Sequence, residues 1–247
     1  MKLQQVLSRV RKAVDDYQMI EDGDKIAIGI SGGKDSLTLL LAMHSLQMFY
    51  PKKFEICAIT VDLGFQNQST DKIEALCAEK NIEYRIVKTD ISKIIFEDRK
   101  ETNPCSLCAK MRKGALNTEA KALGCNKIAY AHHKDDVVET MLMSLIFEGR
   151  FHTFSPVTYL DKMDLTVIRP FIYMDEADVI GFIHKYSVPV LKSACPADGY
   201  TKRQYVKDLL RKLNLENPGV KNRMFTAIQD GNVNGFSLLR TQKNNME

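Results

Sequence analysis

Residues 27–40 read Ala27-Ile28-Gly29-Ile30-Ser31-Gly32-Gly33-Lys34-Asp35-Ser36-Leu37-Thr38-Leu39-Leu40, an apolar segment, two adjacent glycines and a second apolar segment. This pattern predicts a buried strand, a tight turn and the start of a helix. Because Gly32 and Gly33 have no Cβ atom, the backbone can fold tightly there and turn successive N–H groups toward one point. The Ser36 hydroxyl and the positive end of the helix dipole suit a bound pyrophosphate group.

This turn differs from two familiar phosphate-binding loops. A Walker loop has four residues between its glycines and ends in Gly-Lys-Ser/Thr, and the dinucleotide-binding loop has three spaced glycines. The alternative interpretation is an ordinary strand-to-helix turn capped by a serine, because Ser, Gly and Asp occur in such turns for local reasons. The apolar segments on both sides favour the phosphate site.

Strand-like and helix-like segments alternate along the chain. This alternation predicts an α/β fold with a doubly wound parallel sheet of about five strands, flanking helices and a helical C-terminal extension. The predicted strands cover residues 25–30, 54–61, 82–87, 126–131 and 165–169. The predicted helices cover residues 2–19, 35–49, 69–80, 105–123, 135–148, 175–186, 202–213 and 217–230, with a mixed segment at 90–101. Residues 232–247 are polar, and we expect poor order at their very end.

Polar residues follow two more of the predicted strands. Asp62 ends the second strand, and His132, His133, Asp135 and Asp136 come directly after a later one. Ligands of parallel sheets bind at the carboxyl ends of the strands. The alternative is that Asp62 caps a turn, that Asp135 caps a helix and that the histidines face solvent. Four polar groups within five residues favour a nucleotide- or metal-binding loop.

Six cysteines occur in a sequence with no secretory or transmembrane segment, so we expect reduced thiols in the cytoplasm. Cys105 and Cys108 form the one close pair, at a predicted loop-to-helix junction where both sulfur atoms can face one cation. Cys195 lies in a later loop and is the candidate for a third ligand. The other three are predicted to be structural residues, namely Cys57, Cys77 and Cys125.

Three thiolates are compatible with three kinds of centre. Zinc would require a fourth ligand and would form a closed site, whereas an iron–sulfur cluster held by three cysteines leaves one iron open. The pair Cys105 and Cys108 would also serve as a redox dithiol that carries a persulfide. The cysteines alone leave these alternatives open.

The segment Ser31-Gly32-Gly33-Lys34-Asp35-Ser36 resembles the SGGxDS signature of the PP-loop ATP pyrophosphatases, whose fold is the adenine nucleotide alpha hydrolase type. The resemblance implies that these six residues bind ATP, which such enzymes split between the α and β phosphates. It also implies that AMP passes to a carbonyl-type oxygen of an acceptor, which then leaves. The signature alone does not identify the acceptor, because amidating, lysine-ligating and thiolating enzymes share it.

The whole set of motifs resembles the tRNA 2-thiocytidine synthetases (TtcA-type) over about residues 20–215. That family combines the SGGxDS loop with a central CxxC, a basic helix, an HHxDD element and late cysteines. The matching elements here are Cys105 to Cys108 with Arg112 and Lys113, then His132-His133-Lys134-Asp135-Asp136, Ile168-Arg169-Pro170-Phe171, and Cys195 with Lys202, Arg203 and Gln204. The chain departs from the family pattern in one respect, because a single late cysteine replaces the usual second CxxC.

This resemblance implies an ATP-dependent tRNA sulfurtransferase. Such an enzyme adenylates the C2 oxygen of a cytidine in the anticodon loop and replaces that oxygen by sulfur. The implied cofactors are Mg²⁺ and a [4Fe–4S] cluster with one open iron, held by Cys105, Cys108 and Cys195, with ATP as a substrate. The implied partners are tRNA and a sulfur donor, either free sulfide or sulfur derived from a cysteine desulfurase.

Four residues outside the loop and the cysteines complete the predicted site. Asp62 would handle Mg²⁺ or the acceptor proton, and Arg112 would neutralise a phosphate or the AMP leaving group. We assign Asp136 a catalytic role and His133 a contact with ATP.

Two other classes of function are compatible with parts of the pattern. A lysidine synthetase shares the HHxDD and Arg-Pro elements but has no use for Cys105 and Cys108. Relatives that make 2-thiouridine carry paired cysteines at both ends of the chain, whereas residues 1–50 here contain none. A zinc-stapled ATP-binding protein without catalytic activity would use the same three cysteines as a structural staple.

Charge and length set broader limits. The net charge of +4 over 247 residues is too small to indicate nucleic-acid binding by itself. Basic residues are nevertheless concentrated near both ends, where they would bind tRNA phosphates or form solvated helix faces: Arg9, Arg11, Lys12, Lys202, Arg203, Lys207, Arg211, Lys212, Lys221 and Arg223.

The chain is predicted to have three parts and no membrane partner. Residues 1–20 would form an amphipathic helix, residues 21–190 a PP-loop ATPase domain with an inserted CxxC helix, and residues 191–247 a cysteine loop with basic helices. The apolar face of the first helix would pack either on its own domain or on a second subunit in a homodimer.

Overall fold

A computed structural model describes residues 1–65, 69–99, 104–191, 195 and 201–236. Its strands are β1 (Asp24–Gly29), β2 (Phe54–Asp62), β3 (Glu83–Lys88), β4 (Lys127–Ala129), β5 (Val157–Leu160) and β6 (Leu165–Ile168). Its helices are α1 (Leu3–Asp16), α2 (Lys34–Gln47), α3 (Asp71–Glu79), α4 (Ile91–Lys93), α5 (Pro104–Ala122), α6 (Lys134–Glu148), α7 (Glu176–Tyr186), α8 (Lys202–Glu216) and α9 (Val220–Asp230). A π-helical turn continues α4 through Ile94–Asp98, and a short 3₁₀ turn covers Val233–Gly235.

The strands form one sheet in the order β3-β2-β1-β4-β6-β5. Every neighbouring pair from β3 to β6 is parallel, and only β5 runs antiparallel, against β6. The predicted α/β class with a parallel sheet is therefore confirmed, and all five predicted strands are present. The sixth strand, β5, is a correction to the predicted count.

The sequence gives little signal for β5. The strand has four residues and follows a proline, and Asp161 to Asp164 connect it to β6 without a glycine. Asp164 itself adopts the left-handed conformation, with φ of +48°, that glycine or asparagine usually supplies in such turns. Without a Gly-containing turn and with so short a strand, hairpin rules do not detect this edge strand.

Helices cover both faces of the sheet. On one face α5 packs over a small apolar cluster that includes Ala27, Cys57 and Ile128. On the other face, a larger core contains residues of α1, α2, α6, α7, α8 and α9. Strand β1 is buried from both sides, as expected for the central strand of a doubly wound sheet.

The apolar face of α1 packs on its own domain. Val6, Val10, Ala13 and Val14 have no exposed surface and belong to the large core. Burying apolar surface stabilises the folded protein by about 25 cal/mol per Å². The apolar face of α1 therefore contributes to the stability of its own domain. These four residues are therefore not available to a second subunit.

Cys57, Cys77 and Cys125 are buried core residues, which confirms their predicted structural role. Cys57 in β2 and Cys125 just before β4 place their Sγ atoms 3.4 Å apart beneath α5. The close approach of two buried thiols was not predictable from the sequence, because it depends on the alignment of β1 with both β2 and β4.

Candidate active site

The loops after β1 and β4 meet at the carboxyl edge of the sheet. The two strands are neighbours, with Ile28 paired to Ala129, yet the chain continues from β1 to β2 on one side and from β4 to β6 on the other. A crevice opens at such a reversal of strand order, and ligands of α/β sheets bind in it. Both the phosphate loop (residues 31–36) and the HHxDD element (residues 132–136) border this crevice.

The phosphate loop is shaped by its own glycines and hydroxyls. Gly32 has a φ of +79°, which a residue with a Cβ atom rarely adopts. The Ser36 hydroxyl accepts a hydrogen bond from the Ser31 N–H at 3.2 Å and donates to the Gly33 carbonyl at 3.0 Å. Gly33 is the N-cap of α2, so the first N–H groups of that helix point out of the loop without intrahelical acceptors. The loop therefore has the geometry of an anion site.

A cavity of about 950 Å³ lies over this edge of the sheet. All but two of the predicted site residues line it: Ser31, Gly32, Gly33, Asp35, Ser36, Asp62, Cys105, Cys108, Arg112, Asp136 and Cys195. The cavity thus joins the phosphate loop, the start of α5 and the single described residue of the late cysteine loop. The other residues of that loop, 192–194 and 196–200, lie outside the described part of the chain.

Lys34 and His133 are not among the described residues that line the cavity. Lys34 forms ion pairs with Asp35 at 2.9 Å and with Glu176 at 3.0 Å, which directs its ammonium group toward α7. His133 is 3% exposed and caps α6, where its Nδ1 atom accepts from the Asp136 N–H. A direct contact of either residue with ATP stays a prediction.

Three carboxylates reach the cavity from three different loops. The Asp35 Oδ1 atom is buried without a hydrogen-bond partner in the described chain and lies 3.9 Å from His133 Nε2. Asp62 accepts from the Gly64 N–H at 2.9 Å, so it caps a turn and lines the cavity at the same time. Asp136 accepts from the His133 N–H at 3.0 Å. Carboxylate oxygens are the ligands that a divalent cation prefers, although within the described residues these three are not grouped closely enough to hold one as they stand.

Asp135, by contrast, turns away from the cavity. It is 5% exposed, forms an ion pair with Lys221 and accepts from the Glu176 N–H at 2.8 Å. Burial opposes ionisation of this carboxyl, but these two donors hold its pKa below the usual value. The cap of α6 is His133 and not Asp135.

Arg203 connects α8 to the HHxDD element. Its Nη1 atom lies 3.3 Å from Asp136 and 3.0 Å from Glu139, and its Nη2 donates to Thr140. Glu139 is almost fully buried, and burial together with the charge of Asp136 raises its pKa while Arg203 and Lys207 oppose the shift. Asp136 is therefore held from both sides, by the cap of α6 and by Arg203.

The cysteines form the far wall of the cavity. Cys105 is exposed at the start of α5, and Cys108 and Cys195 are partly exposed. Burial raises the pKa of the Cys108 thiol; Arg112 opposes this shift, and the nearby Cys195 and Cys105 add to it. Cys195 therefore lies within electrostatic reach of the CxxC pair, although more than eighty residues separate them in the sequence.

Three cysteine sulfur atoms are chemically suited to bind a thiophilic metal centre. In this structure, however, they are not arranged around a common point. Within the described residues, no three His, Cys, Asp or Glu side chains are grouped closely enough to hold a metal ion as they stand. Soft thiolate ligands that face a solvent-accessible cavity nevertheless suit an iron–sulfur cluster with an open position. The assignment of Cys105, Cys108 and Cys195 as ligands stays a prediction.

The structure shows a hydrogen bond between His132 and Arg169 that the sequence motifs did not predict. His132 lines the cavity, stacks between the rings of Tyr130 and Phe154, and accepts from Arg169 Nε at 3.2 Å through Nδ1. Burial and the charge of Arg169 lower the pKa of His132 to about 3. The HHxDD pattern drew attention to both histidines, but only the fold determines which one faces the cavity.

Several predicted tRNA-binding cations are used inside the molecule instead. Arg203, Lys207 and Lys221 pair with carboxylates of α6 and α7, and Arg9 pairs with Asp175 and Asp178. These residues hold the C-terminal helices and α1 against the domain. Some of the basic residues near the two ends are therefore occupied by intramolecular ion pairs. The number that can contact tRNA phosphates is smaller than the sequence alone indicates.

The chain is similar to several known proteins. Residues 2–213 match the PP-loop domain family. The chain is 38% identical over 241 residues to the tRNA-cytidine(32) 2-sulfurtransferase of Geobacter sulfurreducens, a match that covers 96% of this chain and 93% of that protein. It is 39% identical over 226 residues to the protein of the same name from Geotalea uraniireducens, which covers 90% of each chain.

The chain is also similar to proteins of known structure. One of them is a U34-tRNA thiolase, NcsA from Methanococcus maripaludis, determined with its [4Fe–4S] cluster. The TM-score is 0.75 at 25% sequence identity, and the match covers 92% of this chain and 77% of that one. In the described part of the present chain, none of the helices has the length and hydropathy needed to cross a bilayer.

Proposed function

Because this chain belongs to the PP-loop family, we propose that it is an ATP-dependent tRNA sulfurtransferase that converts a cytidine of the anticodon loop to 2-thiocytidine. One observation carries the proposal: the phosphate loop and the cysteines at positions 105, 108 and 195 line a single cavity of about 950 Å³. The relatives at 38% and 39% identity are named for this reaction, at cytidine 32 of tRNA. These two findings support the same chemistry independently.

The reaction has two steps that the cavity must accommodate. In the first, the C2 oxygen of the base attacks the α-phosphorus of ATP, and pyrophosphate leaves. In the second, a sulfur nucleophile bonds to C2 while the C2–O bond breaks, and AMP leaves with the original oxygen. Adenylation is needed because a carbonyl oxygen is otherwise a poor leaving group.

The phosphate loop would serve the first step. Its backbone N–H groups and the positive end of α2 would hold the pyrophosphate part of ATP as charge accumulates on the leaving oxygen. Asp35, whose Oδ1 atom has no hydrogen-bond partner among the described residues, would hold Mg²⁺ together with Asp62 and Asp136, and the ion would supply charge neutralisation. Arg112 would neutralise charge on the departing AMP.

Cys105, Cys108 and Cys195 would hold the [4Fe–4S] cluster. With three protein ligands, such a cluster has one iron free to bind sulfide as a Lewis acid. The protein would position the cluster close to ATP, because Cys105, Cys108 and Cys195 line the same cavity as the phosphate loop. We further propose that sulfur arrives as free sulfide or from a cysteine desulfurase.

Nucleoside mass spectrometry tests this function directly. The anaerobically purified protein is incubated with ATP, Mg²⁺, sulfide and unmodified tRNA, and the nucleosides are then analysed. We expect 2-thiocytidine together with one AMP and one pyrophosphate per sulfur. A product of 2-thiouridine or lysidine, or AMP release without any thiolated nucleoside, would overturn the proposal.

A matched pair of variants strengthens this test. Cys108→Ser removes a proposed ligand, whereas Cys77→Ser changes a buried cysteine of α3 that lies outside the cavity. The first should abolish 2-thiocytidine and the second should retain it. Stoichiometric zinc with no iron in the active protein would instead support a structural staple.

Homodimer formation, the three-part domain division and a cytoplasmic location stay predictions.

A further inference from the structure

Tyr130 lines the cavity, and its buried hydroxyl group has no hydrogen-bond partner among the described residues. It follows β4, and its Oη atom is buried and forms no hydrogen bond with any described residue. Burial raises its pKa to about 12, against the opposing charges of Arg169 and Arg112. The hydroxyl is therefore a protonated donor without an acceptor. Buried polar atoms are nearly always satisfied in folded proteins, so an exception at a cavity indicates a ligand that is not part of the chain.

The position of the Tyr130 ring is fixed by packing. A Cβ atom at Gly29 would lie 2.9 Å from Leu116 Cδ2 and 3.7 Å from Tyr130 Cε1. The ring and the Leu116 side chain thus occupy the space that glycine leaves at the end of β1. Because the ring is held between β1 and α5, the direction in which the hydroxyl points is also fixed.

Two cationic side chains, Arg169 and Arg112, lie within electrostatic reach of this hydroxyl. Arg112 and Lys113 line the same cavity from α5, exposed to its solvent, and neither forms an ion pair within the described residues. Arg169 lies behind them, with its hydrogen bonds directed to His132, Ser155 and Thr158 rather than to a carboxylate. Desolvation and the charge of Arg169 lower the pKa of Lys113, which indicates that these cations are close together.

The carboxylates of the cavity come from other elements. Asp35, Asp62 and Asp136 lie in the first turn of α2, at the end of β2 and in the first turn of α6, whereas Arg112 and Lys113 come from α5 and Arg169 follows β6. Cations that no carboxylate of the described residues compensates, together with a hydroxyl donor, suit an oxyanion. The phosphate loop is already proposed to bind pyrophosphate. The cations of α5 and Arg169 therefore suit a different phosphate group, one that is no longer bonded to that pyrophosphate.

We propose that Arg112, Lys113 and the Tyr130 hydroxyl, with Arg169 behind them, form a second phosphate subsite that holds the α-phosphate after transfer. The subsite rests on the proposed function, because only an AMP-forming reaction produces such a group. It would bind the phosphate of the adenylated base and then that of AMP. Its place beside the cysteines puts the leaving group next to the sulfur nucleophile.

Tyr130→Phe tests the subsite because it removes one oxygen atom and no packing. The probes are AMP, inorganic pyrophosphate and an anticodon stem-loop RNA, each titrated calorimetrically into the anaerobically purified protein. We expect AMP to bind at least about tenfold more weakly, the change typical of losing one hydrogen bond to a charged group. Affinity for pyrophosphate and for the RNA should not change.

Two further variants complete the test. Lys113→Ala should also weaken AMP binding, while Lys121→Ala, on the same helix but paired with Asp164 outside the cavity, should not. Thermal unfolding of the ligand-free Tyr130→Phe protein should be unchanged or higher in temperature, because the hydroxyl has no partner to lose. A clear fall would show a structural role for the hydroxyl and overturn the proposal.

The probes separate two sources of phosphate. If the RNA binds more weakly to Tyr130→Phe and Lys113→Ala while AMP does not, the cluster holds an RNA phosphodiester and the proposal is wrong. If AMP affinity is unaffected in both variants, the proposal is also wrong. AMP binding requires neither sulfide nor RNA, so a protein that fails to make 2-thiocytidine but loses AMP affinity in Tyr130→Phe would overturn only the proposed function.

Discussion

The backbone N–H of Leu191 donates a hydrogen bond to the carbonyl of Gly32 at 2.9 Å. The Leu191 side chain also packs over the bare Cα of Gly32, since a Cβ atom there would lie 2.9 Å from Leu191 Cδ1. Leu191 leads into the loop that carries Cys195. Because Cys195 is only four residues beyond Leu191, we expect a change in the phosphate loop to alter the position of this cysteine.

Gly32→Ala should therefore damage both halves of the site. The new methyl group would be forced into a left-handed conformation at φ of +79° and against Leu191. Strain of this kind costs about 1–3 kcal/mol. We expect weaker ATP binding by calorimetry and, through Leu191, a lower iron content by elemental analysis.

Gly114→Ala is the matched control for this substitution. Gly114 lies inside α5, and an added Cβ atom would meet no other atom within 4 Å. Replacing a glycine within a helix by alanine stabilises a protein by about 0.5–1 kcal/mol. Urea denaturation should show a gain for Gly114→Ala and a loss for Gly32→Ala. Equal stability and unchanged ATP and iron binding in both variants would contradict the coupling.

Arg203→Ala should destabilise the protein in a pH-dependent manner. Burial raises the pKa of Glu139 in the folded state, and Arg203 is one of the charges that oppose this shift. A raised folded-state pKa means that ionisation costs stability as pH rises through that value. Without Arg203 the cost increases, so we expect a loss of about 1–3 kcal/mol near neutral pH.

The loss should be smaller at about pH 4, which lies below the ordinary glutamate pKa and therefore below the raised one, because Glu139 is then mostly protonated in both the folded and the unfolded state. Chemical denaturation at both pH values measures the difference. Arg211→Ala, an exposed change on the same helix, is the control and should have little effect at either pH. A loss for Arg203→Ala that is independent of pH would contradict this role of Glu139.

The sequence predicted the parts of the site that depend on local pattern. The phosphate loop, the CxxC helix and the carboxyl-end positions of Asp62 and Asp136 follow from strand and helix signals that extend over a few residues. The contacts of Arg203 with Asp136 and of Leu191 with Gly32 do not, because they join segments separated by more than sixty residues. A basic residue on an amphipathic helix gives no indication of which carboxylate it will meet.

The two histidines illustrate the same limit at close range. His132 and His133 are adjacent in the sequence, yet one lines the cavity and the other is buried as the cap of α6. The choice depends on where β4 ends and α6 begins, and sequence patterns do not fix such boundaries to one residue. Tyr130, which lies within the predicted strand 126–131, carried no polar signal of its own.

His132 should remain neutral throughout the physiological pH range, with its proton on Nε2. Its Nδ1 atom accepts from Arg169 Nε, so the proton must be on the other nitrogen. With a pKa lowered to about 3 by burial and by Arg169, the ring should not titrate between about pH 5 and 8. Long-range nitrogen–proton NMR should show one protonated and one unprotonated ring nitrogen for His132 over that range.

The lowered pKa of His132 also predicts that the stability of the protein depends on pH. The unfolded imidazole takes up a proton below about pH 6.5 while the folded one does not, so stability is lost as pH falls from there toward 3. His132→Asn should lose this part of the acid sensitivity in denaturation experiments. Protonation of both His132 nitrogens at about pH 6 would show that the ring is neither desolvated nor locked by Arg169.

The assignment of Cys195 as third cluster ligand is tested by iron content. Cys105→Ser, Cys108→Ser and Cys195→Ser should each lose iron and acid-labile sulfide on anaerobic purification, because a serine hydroxyl is a poor ligand for this soft centre. Cys77→Ser controls for the loss of a thiol, since it replaces a buried residue outside the cavity. If Cys195→Ser alone keeps a full cluster, the third ligand is another residue, and the link from Gly32 through Leu191 to the metal centre is also lost.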